Sequence, residues 1–214
     1  QINKDLAKQV GANLNITHPK ELDELTLKFA RQNHPEYPIL PKKSELDKSE
    51  PLSMVVKKGE GTIETRKVAF MLEKGTSKAS VDAFKQALEK EGAEAVLIAP
   101  KVGSFTFAEG ATTEIQHTYD TEASVCYDSV YTPSGATDSL AKNPDYFAFI
   151  NEAFRHCKAL AFADGTESLL EKSFVDKDKG VILEKEDKNW TQSMIDVMKQ
   201  HRIWEREQAR KVPI

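Results

Sequence analysis

Short apolar runs alternate along the chain with segments whose apolar residues recur at helical spacing. Residues 67–72 and 95–99 are nearly continuous apolar runs, which predict strands buried on both faces of a sheet. Between these runs, Ser77 or Ser80 could cap a helix with three apolar residues on one face, Val81, Phe84 and Leu88. Strand, helix and strand at this spacing predict a βαβ unit with a right-handed crossover.

The same rhythm continues to about residue 200. Buried strands are predicted at 129–132, 159–163 and 180–183, and helices at about 144–155, near 167–172 and from about 190. The inward-facing residues of the first and last of these helices are predicted to be Phe147, Ile150 and Phe154, and Trp190, Met194 and Val197. Alternating residues predict a small β excursion near 104–118. The pattern thus predicts an α/β domain over 66–214, with a mostly parallel, doubly wound sheet covered by helices on both faces.

The first 65 residues differ in composition. Five of the nine prolines fall between Pro19 and Pro51, and the same region contains a charged, linker-like stretch at 42–48. A segment so poor in apolar residues cannot form a core of its own. We therefore predict an extended lead-in with short helices at 4–10 and 21–32. The Arg- and Glu-rich tail at 202–210 is predicted to be a solvated helix end.

Composition narrows the function classes. The 214 residues carry a net charge of −4, which disfavours nucleic acid as a partner, and no run approaches the ~20 apolar residues of a membrane span. Cys126 and Cys157 stand far apart and the five histidines are scattered, so neither a disulfide scaffold nor a metal site is expected. The polar start without Met suggests a piece of a longer protein, whose compartment, cytoplasmic or secreted, depends on its N-terminus.

Candidate chemistry lies where strands end, because open α/β sheets bind ligands beyond their carboxyl ends. After the first strand, Thr76, Ser77 and Ser80 form a hydroxyl-rich loop before a helix. Flavodoxins use such a loop to bind flavin phosphate, although ordinary turn and capping residues would have the same composition. The loop has neither P-loop nor GxGxxG spacing. After residue 132, the backbone N–H groups of Ser134 and Gly135 could form an oxyanion hole beside a nucleophile.

The third strand end is the turn at Ala163, Asp164 and Gly165. A nucleophile elbow carries its reactive Ser or Cys at such a junction, but Ala163 has no reactive group. A lone carboxylate such as Asp164 is usually a helix cap. Cys157 falls at a helix C-terminus, where the dipole disfavours a thiolate, and Cys126 precedes a strand. We expect both cysteines to be packed thiols, and we predict no catalytic residue in this chain.

Several of these segments together resemble the ThiJ/PfpI superfamily of flavodoxin-like domains. They are residues 67–72, Gly75, the segment 128–135 with Pro133-Ser134-Gly135, and the segment 159–165. Members carry a cysteine at the elbow and a carboxylate after the first strand. Ala163 stands at the position of that cysteine, Ser80 at that of the acid, and Ser134 at that of the first glycine of a Pro-Gly-Gly motif. These three departures argue against hydrolase or glyoxalase activity.

A closer resemblance is to the C-terminal domain of the large-subunit haem catalases of bacteria and fungi. It rests on residues 66–69, 81–84, 99–103 and 154–158, and on residues 2–14, which are similar to the end of a catalase helical region. The resemblance implies a non-catalytic accessory domain of a peroxide-decomposing subunit. That subunit would bind haem elsewhere and assemble as a homotetramer. Tyr119-Asp120-Thr121 is similar to the proximal haem signature, but Ile115 replaces its arginine, so no haem site is expected here.

Three functions follow from these resemblances. The leading hypothesis is an accessory domain that supports assembly and stability of the parent and acts as a chaperone-like holdase on unfolded client proteins. The second is a residual ThiJ/PfpI-type glyoxalase or peptidase, which needs Cys126 or Cys157 at the elbow. The third is a flavin-phosphate binder through Thr76, Ser77 and Ser80.

Overall fold

The computed structural model describes residues 61–206. The predicted helices at 4–10 and 21–32, and the tail beyond 206, lie outside this range. The chain order of the elements is β1 (Lys67–Met71), α1 (Lys78–Lys90), β2 (Glu94–Ala99), β3 (Gly103–Thr106), β4 (Thr112–Ile115), β5 (His117–Thr118), β6 (Ser129–Thr132), α2 (Thr137–Leu140), α3 (Pro144–Arg155), β7 (Ala159–Phe162), β8 (Val181–Leu183) and α4 (Trp190–Met198). Two 3-10 helices cover Ser124–Cys126 and Glu167–Lys172.

Six strands form one parallel sheet in the order β5-β2-β1-β6-β7-β8. The chain first moves from β1 to β2 and later returns to the other side of β1 with β6, so the sheet is doubly wound. This arrangement confirms the predicted α/β fold. The winding direction reverses between β1 and β6, and a crevice at the carboxyl ends of these strands is where such sheets bind ligands.

The predicted β excursion is an antiparallel hairpin of β3 and β4, which lies outside the main sheet. Phe105 pairs with Thr113, and Gly103 with Ile115. The hairpin follows β2, so it begins at the carboxyl end of the sheet, next to the expected ligand crevice. No helix described between residues 61 and 206 is long and apolar enough to cross a membrane.

Two hydrophobic clusters pack on the two faces of the sheet, as a doubly wound domain requires. One face holds an aromatic group of Phe70, Phe84, Tyr131 and Trp190, with ring centroids 4.9–5.7 Å apart. Aromatic pairs at these separations add about 0.5–1.5 kcal/mol each beyond burial alone. The other face is covered by α2 and α3.

The inward faces of two helices differ from the prediction. The buried residues of α3 are Tyr146, Phe149, Ile150 and Ala153, and those of α4 are Trp190, Met194, Ile195 and Met198. Phe147, Phe154 and Val197 are only partly buried, at the margins of these faces. The apolar stripes are wide enough to allow two rotations, and packing on the sheet selects one. The segment 167–172 is a 3-10 helix.

The prediction of a solvated tail is wrong within the described residues. Ile203 and Arg206 are 5% and 2% exposed. The Ile203 N–H donates to Cys157 O at 2.7 Å, and Arg206 Nη1 donates to Lys158 O at 2.7 Å. This segment therefore crosses the amino ends of β7 and β8. The charged composition of this segment gave no indication that Arg206 is buried and donates to backbone carbonyls.

Candidate functional site

The loops after β1 and β6 come into direct contact at the predicted ligand crevice. The Ser77 N–H donates to Ser134 O at 2.9 Å. Gly135 has φ +96°, and a Cβ at this residue would stand 2.4 Å from Gly75 O. Only glycine combines this left-handed backbone with so close an approach. The two loops thus bring Ser80, Ser134 and Gly135 together and fill the space between them.

Ser80 takes up the N–H group that was predicted to serve as an oxyanion donor. The Ser134 N–H donates to Ser80 Oγ at 3.1 Å, and Ser80 Oγ lies 2.8 Å from Tyr131 Oη. Burial raises the pKa of Tyr131 well above its usual range. The group is therefore a neutral hydrogen-bond network of Ser80, Ser134 and Tyr131.

The hydroxyl-rich loop uses its side chains to close its own turn and to begin α1. Thr76 is fully buried; its Oγ1 donates to Glu73 O at 2.7 Å and accepts from Glu73 N at 3.0 Å. Ser77 is the N-cap of α1 and accepts from Ser80 N at 3.5 Å. These are the contacts expected of ordinary turn and capping residues, which were the alternative to a flavin-phosphate loop.

A carboxylate of the chain itself takes the place that a phosphate would occupy. Glu109, in the turn between β3 and β4, accepts from Ser77 Oγ at 2.7 Å and from Lys78 N at 2.8 Å. These bonds, that from Lys78 first, lower its pKa from 4.5 to about 2. An external anion would therefore have to displace an ionised side chain from the helix N-terminus.

Sequence reasoning missed Glu109, because it stands 32 residues from Ser77 along the chain and belongs to no motif. The Ala108 N–H donates to Thr76 O at 2.9 Å, which fixes the hairpin turn beside the loop after β1. Only the prediction of a hairpin after β2 could have indicated that this turn reaches the crevice.

Ala163 continues the sheet and does not form an elbow. It is fully buried, and its N–H donates to Thr132 O at 3.0 Å. The non-glycine residues with positive φ in the described chain are Thr65, Cys157 and His201, so Ala163 lacks the strained conformation of a nucleophile elbow. The helix that follows is of the 3-10 type, beginning at Glu167.

Asp164 and Gly165 form an exposed turn between β7 and this 3-10 helix. The Asp164 N–H donates to Glu184 Oε2 at 2.9 Å, and the N-cap position of the helix is held by Thr166. Gly165 has φ +82°, and its carbonyl accepts from Thr137 Oγ1 at 2.8 Å. The side chains of Glu184 and Thr137 thus bind the backbone groups of this turn, and Asp164 does not stand at the cap position.

Both cysteines lie at the amino ends of strands, opposite the elbow. Cys157 is buried, as predicted, but Cys126 is exposed, so the prediction of a packed thiol is wrong there. Its short 3-10 helix, Ser124–Cys126, buries Ser124 and turns Cys126 outward. Strand β7 separates Cys157 from Ala163, and six residues at about 3.3 Å each place them about 20 Å apart. Neither thiol reaches the elbow in this fold.

The Tyr119-Asp120-Thr121 segment does not fit the role of an iron ligand. Tyr119 is buried, and its hydroxyl donates to Leu72 O at 3.0 Å. Burial raises its pKa well above the usual range, which opposes the phenolate form that iron ligation requires. Haem therefore does not fit the Tyr-Asp-Thr segment. The described residues also contain no cluster of three or more side chains that could hold a metal ion.

A cleft of about 740 Å³ is larger than two others in residues 61–206, of about 440 Å³ and about 390 Å³. The larger cleft lies beyond the carboxyl ends of β1 and β2, and its apolar wall is Pro100, Val102, Phe105 and Phe107. Val102 is 64% exposed. Charged side chains, Lys74 and Lys101, stand at the same cleft. Such an apolar wall with a charged margin is typical of a surface that contacts another protein.

Comparison with protein families gives a match over most of the described chain. A family described as the C-terminal domain found in long catalases matches residues 64–208. Catalase HPII of Pseudomonas aeruginosa is 35% identical over 153 residues, which are 71% of this chain and 22% of that protein. Catalase C of Rhizobium meliloti is 32% identical over 216 residues, covering 99% of this chain and 28% of that protein. The chain thus spans about a quarter of the length of these relatives.

Solved structures show the same fold with little sequence identity. A ThiJ/PfpI domain protein from Brachyspira murdochii superposes with a TM-score of 0.53 at 11% identity, over 63% of this chain and 97% of that protein. The fold therefore resembles that of ThiJ/PfpI domains.

Proposed function

This chain belongs to the family of C-terminal domains found in long catalases, and from that membership we propose that it is a non-catalytic accessory domain of a peroxide-decomposing haem catalase. The observation that carries the proposal is the filled crevice at the carboxyl edge of the sheet. Glu109 accepts hydrogen bonds at the N-terminus of α1, Ser80 Oγ accepts the Ser134 N–H, and the buried Ala163 stands where a nucleophile would be expected.

The proposed division of the chain follows the match. Residues 66–214 are the accessory domain, and residues 1–65 are a lead-in from the catalytic body. The family match begins at residue 64, close to this boundary. We propose that haem and the peroxide chemistry belong to a catalytic body outside residues 1–214, and that the subunits assemble as a homotetramer. The domain's direct partner is the rest of that subunit.

The surface of the described domain supplies contacts for such a partner. Three large apolar side chains are strongly exposed: Val102, Val125 and Phe174, with 64%, 67% and 83% of their surface accessible. Val102 adjoins the apolar wall of the larger cleft. Exposed apolar surface favours both docking on the catalytic body and transient capture of unfolded chains. We therefore propose a second role as a holdase.

The first experiment removes this domain from the parent catalase. Peroxide turnover per haem at low temperature is expected to remain within about twofold of that of the intact enzyme, because no catalytic group is lost. The tetramer is expected to dissociate at a lower temperature, as measured by light scattering coupled to size exclusion. Loss of turnover from a tetramer that still holds its haem would contradict a non-catalytic role.

The second experiment measures light scattering from a heat-stressed client enzyme with chain 1–214 or albumin present. Suppression at a near-stoichiometric ratio, beyond that of albumin, is expected for a holdase. Phe174→Ser should weaken it because Phe174 is the most exposed of the three apolar side chains. Thr113→Ser, a small exchange on the hairpin, is the control. No suppression would remove the holdase role and leave the assembly role standing.

A further inference from the structure

A cationic groove lies at the amino edge of the sheet, on the opposite side from the filled crevice. It encloses about 330 Å³, near the lower end of the range for small-molecule sites. Four of its lining side chains are basic or imidazole groups, and two are apolar: Arg155, His156, Lys158, Arg202, Val125 and Trp204. None of the described residues that line it is acidic, although the whole chain carries a net charge of −4.

Two of the groove's cations, Lys158 and Arg202, donate to backbone carbonyls within residues 61–206. Lys158 is 1% exposed, and its Nζ is held by the carbonyls of Ser124 and Tyr127, the latter at 2.5 Å. Arg202 uses Nη1 to donate to His201 O at 2.9 Å. Neither of the two takes part in an ion pair within the described part of the chain.

Two carboxylates, Asp128 and Glu152, act on the charge of Lys158, and Asp128 is already engaged by other groups. It accepts from Arg66 Nη1 at 3.2 Å and from Lys67 N at 3.0 Å, and lies 3.6 Å from His201 Nδ1. Burial, and after it the charge of Arg202, lowers the pKa of Lys158 to about 8 and also lowers that of His201. Burying these positive charges close together therefore costs free energy, and a bound anion would offset that cost.

We propose that this groove binds a small organic anion, with a carboxylate or phosphate group on the Arg202 guanidinium and a flat apolar body against Trp204. A guanidinium presents five N–H donors in a planar fork that matches both anionic groups. Trp204 and Val125 supply the apolar wall, and Val125 is 67% exposed. This site is independent of the crevice at the carboxyl edge, so it is compatible with a domain that has no catalytic residue.

Calorimetric titration of chain 1–214 with phenyl phosphate tests the proposal, with ionic strength matched by sodium chloride. Saturable one-site binding is expected. Arg202→Gln should weaken it at least about tenfold because a charge-assisted hydrogen bond is lost. Lys185→Gln is the matched control: it removes one positive charge from an exposed residue just beyond the carboxyl end of β8, and should stay within about twofold of the wild type.

Two further variants separate the parts of the site. Trp204→Ala should weaken phenyl phosphate but leave inorganic phosphate unchanged, since only the former contacts the indole. Arg202→Lys keeps the charge and should give intermediate affinity. This intermediate value would show that the loss in Arg202→Gln comes from the side chain's charge and donors and not from a folding defect. Absence of saturable heat, or equal losses in Arg202→Gln and Lys185→Gln, would overturn the proposal.

Discussion

The two edges of the parallel sheet satisfy their polar groups in opposite ways. At the carboxyl edge, the helix N-terminus of α1 receives the carboxylate of Glu109, and the Ser134 N–H receives the hydroxyl of Ser80. At the amino edge, cations meet carbonyls: Lys158 binds those of Ser124 and Tyr127, and Arg206 binds those of Lys158 and Lys179.

This difference separates a filled crevice from an open surface. The carboxyl edge has matched donors with acceptors from the same chain, so a ligand gains little there without displacing them. The amino edge has satisfied hydrogen bonds but unbalanced charge, which leaves an electrostatic gain for an incoming anion. The ligand-binding edge typical of this architecture is therefore not the edge on which we expect binding in this chain.

The largest expected effect comes from forcing the carboxyl-edge loops apart. Gly135→Ala places a Cβ 2.4 Å from Gly75 O on a backbone with φ +96°, and should lower the free energy of unfolding by about 3 kcal/mol or more. Gly165→Ala is the control, because its φ is +82° but its Cβ would meet nothing within 4 Å. It should cost about 1–2 kcal/mol. Urea unfolding measures both, and equal costs would mean that the loops are not in contact.

The next effect comes from the buried arginine at the amino edge. Arg206→Met keeps apolar contact with Phe154 but removes the donors to the Lys158 and Lys179 carbonyls, so a loss of about 2–3 kcal/mol is expected. Lys179→Met breaks an exposed pair with Glu205 and should change the free energy of unfolding by less than about 1 kcal/mol. Similar small effects of both changes in urea unfolding would contradict the buried anchor.

A third effect depends on pH. The pKa of Lys158 is lowered from 10.5 to about 8, so between these values the unfolded chain binds more protons and stability should rise with pH. Relative to Lys158→Met, the wild type should gain about 2 kcal/mol between about pH 7.5 and about pH 9.5. Urea unfolding of both proteins at both pH values measures this gain, and the shared tyrosines cancel in the difference. A constant difference would show that Lys158 titrates normally.

The smallest effect is expected at Glu109, which lies at the surface. Glu109→Gln should lower the thermal midpoint slightly at neutral pH, because a charged acceptor is lost from the N-terminus of α1. The pKa of Glu109 is depressed from 4.5 to about 2, so its contribution is present above pH 4.5 and disappears as the pH falls toward 2. Thermal melts should therefore converge on acidification, with exposed Glu114→Gln as the control. Midpoints that differ equally at every pH would contradict this origin.

The strands were predictable from sequence because a parallel sheet covered on both faces requires apolar runs. Residues 67–71, 94–99, 129–132 and 159–162 follow that rule. The cap of α1 at Ser77 was likewise encoded locally. The rotation of α3 and α4 was not, since an apolar stripe broad enough for two rotations is decided only by the surface on which it packs.

The candidate site was predictable only in what it lacks. The identity of Ala163 is visible in the sequence, as are the serines at positions 80 and 134. The occupants of the crevice and the anchor of the tail depend on contacts between distant residues: Glu109 with Ser77, and Arg206 with Lys158 across 48 positions. A charged residue carries no local signal that it will be buried or will serve as an internal ligand.

The most direct test of the difference between the two edges is a titration of ¹⁵N-labelled chain 1–214 with phenyl phosphate, followed through amide chemical shifts. We predict saturable shifts at Cys157, Lys158 and residues 201–205, and none at Lys78 or Ser134. Shifts confined to Lys78, Ala79 and Ser134 would contradict this account, because they would mean that the carboxyl-edge crevice still accepts an anion in place of Glu109.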